Sequence, residues 1–579
     1  MEALKLFSRY APNKTFIAIV LGALAGLFYA FLIPIVMKAL AEGNVGFPGL
    51  PELPVEDDMA TVLGFEVANV NLATLFFGLC IAILILKVCS EILLARLALY
   101  IRYVLRKDLY NRVQNAPIAA LENVGPSRLI QSLSTDVAAI VNGAQLFPQI
   151  LTNGVTLAGM LVYLAYLDFD VFLFVISSIA CGILVYQIPV IIGTRDFVKA
   201  RDHQDALQEA FRGLVDGAKE LKLSQNKTSV YNDDVLFKEE HIVTGLEKRG
   251  MTIFSVAINI GALVCFFTVG GLGFVFINYH VISSADMLAA VMVLLYITGP
   301  IGMLLNFIPQ IAQTHISLHK IDALYRELPN EAISKDTLII GNWSRLKLVN
   351  AVYRYPLTEN QSRSFEIGPL DLEIKRGQIT FIAGGNGSGK STLAKLITQH
   401  YSPTDGFLSY DDTRITAENL TSFRNEISSI YSDYYLFEHF INDGADSPKA
   451  CEQIQYYLEL FGIATKVQLQ DGRFTTLKLS DGQRRRLALV VAIVEDKSLY
   501  LFDEWAADQD PEFKRVFYQE ILPELKARHK AVVVISHDDR YFDVADQLLV
   551  MESGNLSERT RYQLFPAEKL ANPDRLALP

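Results

Sequence analysis

Six apolar runs of membrane-crossing length stand in series in the first 311 residues, near Phe16–Leu40, Leu72–Leu93, Ile140–Leu167, Val171–Gly193, Ile253–Asn278 and Met287–Ile311. A helix needs about 20 residues to cross the hydrocarbon of a bilayer. Inside lipid every backbone N–H and C=O must find its partner within the segment, which leaves a helix as the shape of such a run. Pro34, Pro148, Pro189, Pro300 and Pro309 fall within these runs and are tolerable there as kinks or end residues. Hydrophobic residues make up 51 % of the 579 and charged residues only 20 %, which fits a lipid-embedded half. The first run is too long for a cleavable leader and no small-residue cleavage pattern follows it.

Charge orients the spans. Lys5, Arg9 and Lys14 precede the first, Arg96, Arg102, Arg106, Lys107, Arg112 and Arg128 follow the second, and Arg195, Lys199, Arg201, Arg212, Lys219 and Lys222 follow the fourth. Basic residues mark the cytoplasmic side. The opposite loops, 41–71, the turn around Asp168 and Asp170, and 279–286, hold no Lys or Arg and face out. Six spans then return the C-terminal half to the cytoplasm. Two cytoplasmic stretches, 94–139 and 194–252, read as helices of mixed charge, with contacts to the C-terminal half expected near Ile118–Gly125 and Phe211–Leu223. The outer loop Gly43–Ala68, with Pro48, Pro51 and Pro54, is expected to be irregular. Cys80, Cys89, Cys181 and Cys265 sit in or beside apolar runs without a CxxC pair, and read as small buried residues. A net charge of −11 argues against nucleic acid as a partner.

Past Ser334–Trp343 the apolar runs shorten to strand length and alternate with helical stretches, as in an α/β domain. Residues 1–333 are read as the transmembrane domain with cytoplasmic helical extensions, 334–344 as a linker and 345–579 as a nucleotide-binding domain. Gly384-Gly385-Asn386-Gly387-Ser388-Gly389-Lys390-Ser391 lies between a predicted strand (378–383) and a predicted helix (391–398). In that setting it is a phosphate cradle. Gly384, Asn386, Gly387, Ser388, Gly389 and Thr392 would surround the phosphates, Lys390 would neutralise their outer oxygens, and Ser391 would ligate Mg²⁺. Leu499–Phe502 reads as a buried strand that delivers Asp503 and Glu504 beside the phosphates. Asp503 would hold Mg²⁺ and Glu504 would activate the attacking water. His537 ends a second buried strand, 531–536, where an imidazole can position the γ-phosphate.

Leu479-Ser480-Asp481-Gly482-Gln483, placed between the cradle and the carboxylate pair, resembles the signature peptide of ATP-binding-cassette (ABC) ATPases. The whole chain resembles a type I ABC exporter half-transporter: an α-helical six-span transmembrane domain fused to a cytoplasmic α/β P-loop ATPase domain. The stretch Leu501-Phe502-Asp503-Glu504-Trp505-Ala506-Ala507-Asp508-Gln509-Asp510-Pro511, with Ile535-Ser536-His537-Asp538-Asp539, is similar to the bacterial cyclic-peptide and siderophore exporters. That subfamily includes syringomycin-type lipopeptide, pyoverdine-precursor and YojI microcin exporters.

The resemblance implies ATP and Mg²⁺ as cofactors, a homodimer with two composite ATP sites, and a place in the bacterial inner membrane. It implies that Tyr355 stacks on adenine, with Tyr353 as the alternative. Ser480, Gly482 and Gln483 would hold ATP bound to the other copy, and Asp510 would cross the interface. The sequence departs from the general pattern at three places. Ser432, followed by Asp433, stands where most relatives carry the Q-loop glutamine, so Asp433 is the candidate oxygen ligand there. Asp481 replaces a glycine and Trp505 replaces a proline. The expected cargo is a peptide-like secondary metabolite, with two alternatives: lipid or drug export by the same architecture, and an ATP-gated channel or regulator that transports nothing.

Overall fold

The computed structural model describes residues 11–42, 59–62, 65–331, 343–356, 364–441, 448–507 and 509–559. Two compact units emerge, Met1–Tyr110 with Ser127–Tyr325, and Asn111–Pro126 with Arg326–Pro579. The linker expected at 334–344 lies almost wholly outside the described residues.

Among the described residues of the first unit, six apolar helical stretches are long enough to cross a membrane: Pro12–Leu40, Val70–Gln114, Pro126–Leu167, Phe169–Ala200, Gln225–Asn278 and Ser284–Glu327. Each contains one of the six runs read from the sequence. Most run on past the apolar stretch, which is how the basic segments become helical. Pro34 and Pro189 lie inside helices, and Pro148 sits in the first turn of Phe147–Leu167, where its missing N–H costs nothing.

Lipid gives apolar helices no hydrophobic reason to associate, so close packing and hydrogen bonds must hold them. The first and third spans show both. Thr152 Oγ1 donates to Gly22 O and Thr156 Oγ1 to Gly26 O, each at 3.1 Å, while Ser90 Oγ of the second span donates to Ala18 O at 2.8 Å. A Cβ on Gly26 would lie 2.6 Å from Thr152 O, so the two backbones approach as only glycine permits. At the outer end, Asp168 caps the fourth span through Asp170 N and Val171 N, and its second oxygen lies 2.9 Å from His280 Nε2. That contact ties the turn between spans three and four to the turn between spans five and six. Burial alone would raise the Asp168 carboxyl, but the Val171 and Asp170 N–H groups and His280 hold it below its ordinary value.

Two expectations need correction. The outer loop is not irregular throughout: Met59–Val62 and Phe65–Ala68 pair as an antiparallel ladder, whereas 43–58 and 63–64 lie outside the described residues. Thr61, Val62, Phe65 and Val67 are β-branched or aromatic residues that suit strands, and the prolines all lie before them. The cysteines also differ. Cys265 alone is buried among them, whereas Cys89 and Cys181 are exposed on spanning helices. An apolar side chain in a span is satisfied by lipid and needs no protein cover.

The second unit is built on a six-stranded sheet in the order Asn555–Glu558, Gln547–Glu552, Ile379–Gly384, Ala531–Ile535, Leu499–Asp503 and Ile427–Ile430. Five strands are parallel, and only the edge strand Asn555–Glu558 is antiparallel. A four-stranded antiparallel sheet, Glu366–Lys375, Arg345–Arg354, Asp405–Tyr410 and Thr413–Arg414, forms a second layer. Leu499–Asp503 and Ala531–Ile535 are buried at every position, as strands covered on both faces must be. Their C-terminal ends deliver Asp503 and the segment leading to His537 beside the loop after Ile379–Gly384, the usual ligand edge of a parallel sheet.

The short helix Ile118–Val124 belongs to this second unit, at the first contact segment expected from sequence. Ile118 and Ala119 pack against the core that holds Tyr353 and Tyr401. Glu122 pairs with Lys395 at 2.7 Å and also accepts from the Tyr401 hydroxyl. The other expected segment, Phe211–Leu223, lies in the first unit as the end of Phe169–Asp216 and the helix Ala218–Lys222, with Leu223 fully presented on its surface.

Candidate functional site

The glycine loop turns back on itself between strand and helix. Gly384 takes φ +149° and Gly389 φ +104°, and a Cβ at Gly384 would meet Met551 O at 2.3 Å. Neither position accepts another residue without strain. Gly389 caps the helix Lys390–Ile397, so the N-terminal amides of that helix open toward the loop. Lys390 is buried and donates to Gly384 O and Gly385 O, each at 3.0 Å. Burial holds its ammonium below the ordinary lysine value, while the charges of Glu504 and Asp503 oppose that shift. Ser388 Oγ is buried without a hydrogen-bond partner. An orphaned hydroxyl in a ring of backbone amides is a donor set suited to phosphate oxygens.

A cavity of about 580 Å³ opens over this loop, lined by Asn386, Gly387, Gly389, Lys390, Ser391 and Thr392, by Glu504, by Tyr355, Pro356 and Phe365, and by Asn123. The two tyrosines are packed differently. Tyr353 is buried with one ring face stacked on Tyr401 at 4.5 Å. Tyr355 instead lines the cavity, its hydroxyl 3.0 Å from Thr392 Oγ1.

Asp503 is buried at the end of its strand and hydrogen-bonds Ser391. Burial pushes its carboxyl up to about 6, with Glu504 and Asp433 adding to the rise and Lys390 opposing it. A buried carboxylate with so high a pKa, beside a serine hydroxyl, is a hard-oxygen donor pair that a divalent cation such as Mg²⁺ would stabilise. Glu504 adopts φ +51°, the left-handed region that a glutamate rarely enters. Its backbone is clamped: the Arg485 guanidinium donates to Glu504 O at 2.8 Å and to Trp505 O at 2.9 Å. Trp505 Nε1 returns a 2.9 Å bond to Arg485 O. His537 Nε2 lies 3.0 Å from Glu504 Oε1.

Other expected residues fall elsewhere. Ser480 and Gln483 form a reciprocal capping box at the start of the helix Asp481–Val494, with Gly482 in its first turn. None of the three lines the cavity over the glycine loop. Asp510 has both oxygens engaged within the chain: one caps Pro511–Val516 through Phe513 N at 2.9 Å, and the other pairs with Arg486. The Phe513 N–H first, and Arg486 after it, hold its carboxyl below the ordinary range. Asp433 is exposed; its charge reaches Asp503, but it does not line the cavity.

The sequence reading missed the groups that hold these residues in place. Arg485 and Arg486 sit in a run of three arginines that reads as a solvated face. Gln509 bridges Arg486 and Gly482 O. Tyr431, just before Ser432, bonds Thr398 Oγ1 and lies 3.0 Å from His400 Nδ1. Burial first, and Arg424 after it, hold that histidine below its ordinary value. No local signal distinguishes such residues, because their partners are 19 or more positions away or on another element.

Residues 15–301 match the model of the ABC transporter transmembrane region, and 367–507 match that of the ABC transporter itself. Over 489 residues the chain is 33 % identical to the ATP-binding protein SyrD of Pseudomonas syringae pv. syringae, covering 83 % of this chain and 86 % of SyrD. It is 22 % identical over 483 residues to an ATP-dependent lipid A-core flippase of Chromobacterium violaceum, covering 79 % of each. Among solved structures, a bacterial Atm1-family ABC exporter with ATP bound superposes with a TM-score of 0.73 over 98 % of this chain and 99 % of that one, at 17 % identity. With both halves matched on one polypeptide, this chain belongs to the ABC transporter family, as an ATP-hydrolysing exporter half-transporter.

Proposed function

We propose that this exporter moves a peptide-like secondary metabolite, such as a cyclic peptide, lipopeptide or siderophore precursor, out of the cytoplasm across a bacterial inner membrane. The observation that carries the reading is the relationship to SyrD, which spans membrane and ATPase halves alike. The resemblance of Leu501–Pro511 to the cyclic-peptide and siderophore exporters supports it.

The chain works as a homodimer in this reading. The cavity over its glycine loop is not lined by its signature helix, and a second copy would bring Ser480, Gly482 and Gln483 over the first copy's phosphates. Tyr355 stacks on adenine. The Gly384–Ser391 amides and Lys390 bind the phosphates, and Lys390 exchanges its two loop carbonyls for phosphate oxygens as they enter. Mg²⁺, held by Ser391 and Asp503, supplies charge neutralisation of the outer phosphates. Asp433, exposed but felt by Asp503, is the reserve oxygen donor at the Q-loop position. Glu504 accepts the proton of the attacking water as the new P–O bond forms and ADP leaves. His537, 3.0 Å away, orients that carboxylate and steadies the γ-phosphate. Asp510 fixes the loop after Glu504 and reaches the interface from there. The Ile118–Val124 helix and the Phe211–Leu223 segment pass the resulting motion to the spans. Export follows only because ATP binds the closed pair more tightly than the open one.

Export of a lipid or drug is the second reading, favoured by the relationship to the lipid A-core flippase. A channel or regulator that transports nothing has no use for the paired Glu504 and His537. The test is ATPase stimulation of purified protein in lipid by a panel of cyclic peptides, peptide siderophores, lipids and hydrophobic drugs. Stimulation by peptide-like compounds is expected. Stimulation by lipids or drugs alone would transfer the assignment to the second reading.

A further inference from the structure

The helix Ser284–Glu327 runs well past the apolar stretch that ends near Ile311. On that cytoplasmic extension His315 and His319 stand one turn apart on the exposed face, their rings 4.4 Å apart at 74° and their Nε2 atoms 3.2 Å apart. We infer that this pair is a bidentate site for a divalent transition-metal ion of imidazole preference, Zn²⁺, Ni²⁺ or Cu²⁺.

Three observations carry it. The first is distance. Two imidazole nitrogens bound to one ion at about 2.0–2.1 Å lie about 2.9 Å apart in square geometry and about 3.4 Å apart in tetrahedral geometry. The observed 3.2 Å falls between them. The second is pairing: it is the same nitrogen of both rings, Nε2, that faces the other. Residues four apart on a helix share a face, and two histidines at that spacing are a recurrent chelating pair.

The third observation is rigidity. The opposite face of the helix is fixed by buried contacts that flank the pair: Thr314 Oγ1 donates to Ala139 O at 3.2 Å and Ser317 Oγ to Asp136 Oδ1 at 3.0 Å. A Cβ on Gly143 would clash with Thr314 at 1.8 Å, so this packing leaves the helix no freedom to roll. The pair is therefore held outward on a fixed platform, which lowers the entropic cost of chelation. A bidentate site leaves coordination positions open, and water fills them in the protein alone.

The test uses the full chain in lipid nanodiscs with any polyhistidine tag removed. Cu²⁺ bound at one equivalent should give an electron paramagnetic resonance spectrum of two-nitrogen ligation. Zn²⁺ should displace it only in large excess, because Cu²⁺ binds imidazole more tightly, and saturating Zn²⁺ should raise the thermal midpoint. H315A and H319A should each weaken binding at least about tenfold, the lower end of what even outer-shell changes cost at metal sites. H280A, which removes a histidine at the outer end, should leave the spectrum unchanged. The ATPase rate of each variant, expected to match wild type, shows that the fold survives. An unchanged two-nitrogen spectrum in the H315A/H319A double variant, or a spectrum lost in H280A instead, would overturn the assignment.

Discussion

In the ATPase unit the strand Leu499–Asp503 is buried at all five positions, and each side chain meets a neighbour from another element. In the membrane unit the most apolar stretch of Val70–Gln114 has only 6 % of its residues buried in protein, and Phe77 and Leu84 point outward. Both segments are apolar, for different reasons. The strand is apolar because protein surrounds it. The span is apolar because lipid does. The difference predicts that one kind of substitution is costly in the first place and nearly neutral in the second.

Trp505 gives the largest effect. Its ring is buried against Phe517, with centroids 4.4 Å apart, and its indole N–H holds Arg485 O. Trp505→Ala should cost about 3–5 kcal/mol. Because Arg485 also clamps Glu504, the thermal midpoint and the ATPase rate should fall together. A variant that keeps both would show that this core is not what fixes the Glu504 carboxylate.

A smaller effect is expected at Asp503, and its sign depends on pH. Its folded-state pKa is raised to about 6, so the ionised form is the costly one. The penalty is fully present above about 6 and disappears as pH falls toward the unfolded value near 4. Without Mg²⁺, Asp503→Asn should be more stable than wild type by about 3 kcal/mol at pH 8, and the gap should close by about pH 4. Urea melts of the two proteins at several pH values measure it. A gap independent of pH would remove burial of the charge as its cause.

The smallest effect belongs to the membrane side. Phe77, 65 % exposed on its helix, should tolerate Ala with a stability change below about 0.5 kcal/mol in bilayers. A loss as large as that of Trp505→Ala would mean that protein covers this face, in a second copy or otherwise.

The same contrast sets what could be read in the sequence. Gly384–Ser391, Asp503, Glu504 and His537 were legible because strand-end chemistry writes itself in consecutive residues. The six spans were legible as lengths, since a bilayer demands about 20 apolar residues. Which face of a span meets protein was not legible, because lipid and core select the same side chains, as Cys89 and Cys265 show. Nor was the Arg485 clamp, whose acceptors are carbonyls that no side-chain pattern records. Nor was the different packing of Tyr353 and Tyr355, because Tyr401, 48 positions beyond Tyr353, covers one of the two rings.

The most direct test of the account is the turnover of Glu504→Gln in lipid, measured beside its ATP binding. Glu504 is placed as the proton acceptor, and it lies outside the loop that binds the phosphates. The account predicts a loss of at least about 100-fold in hydrolysis, with ATP binding retained and no stimulation by any peptide-like compound. Turnover equal to that of wild type would contradict it.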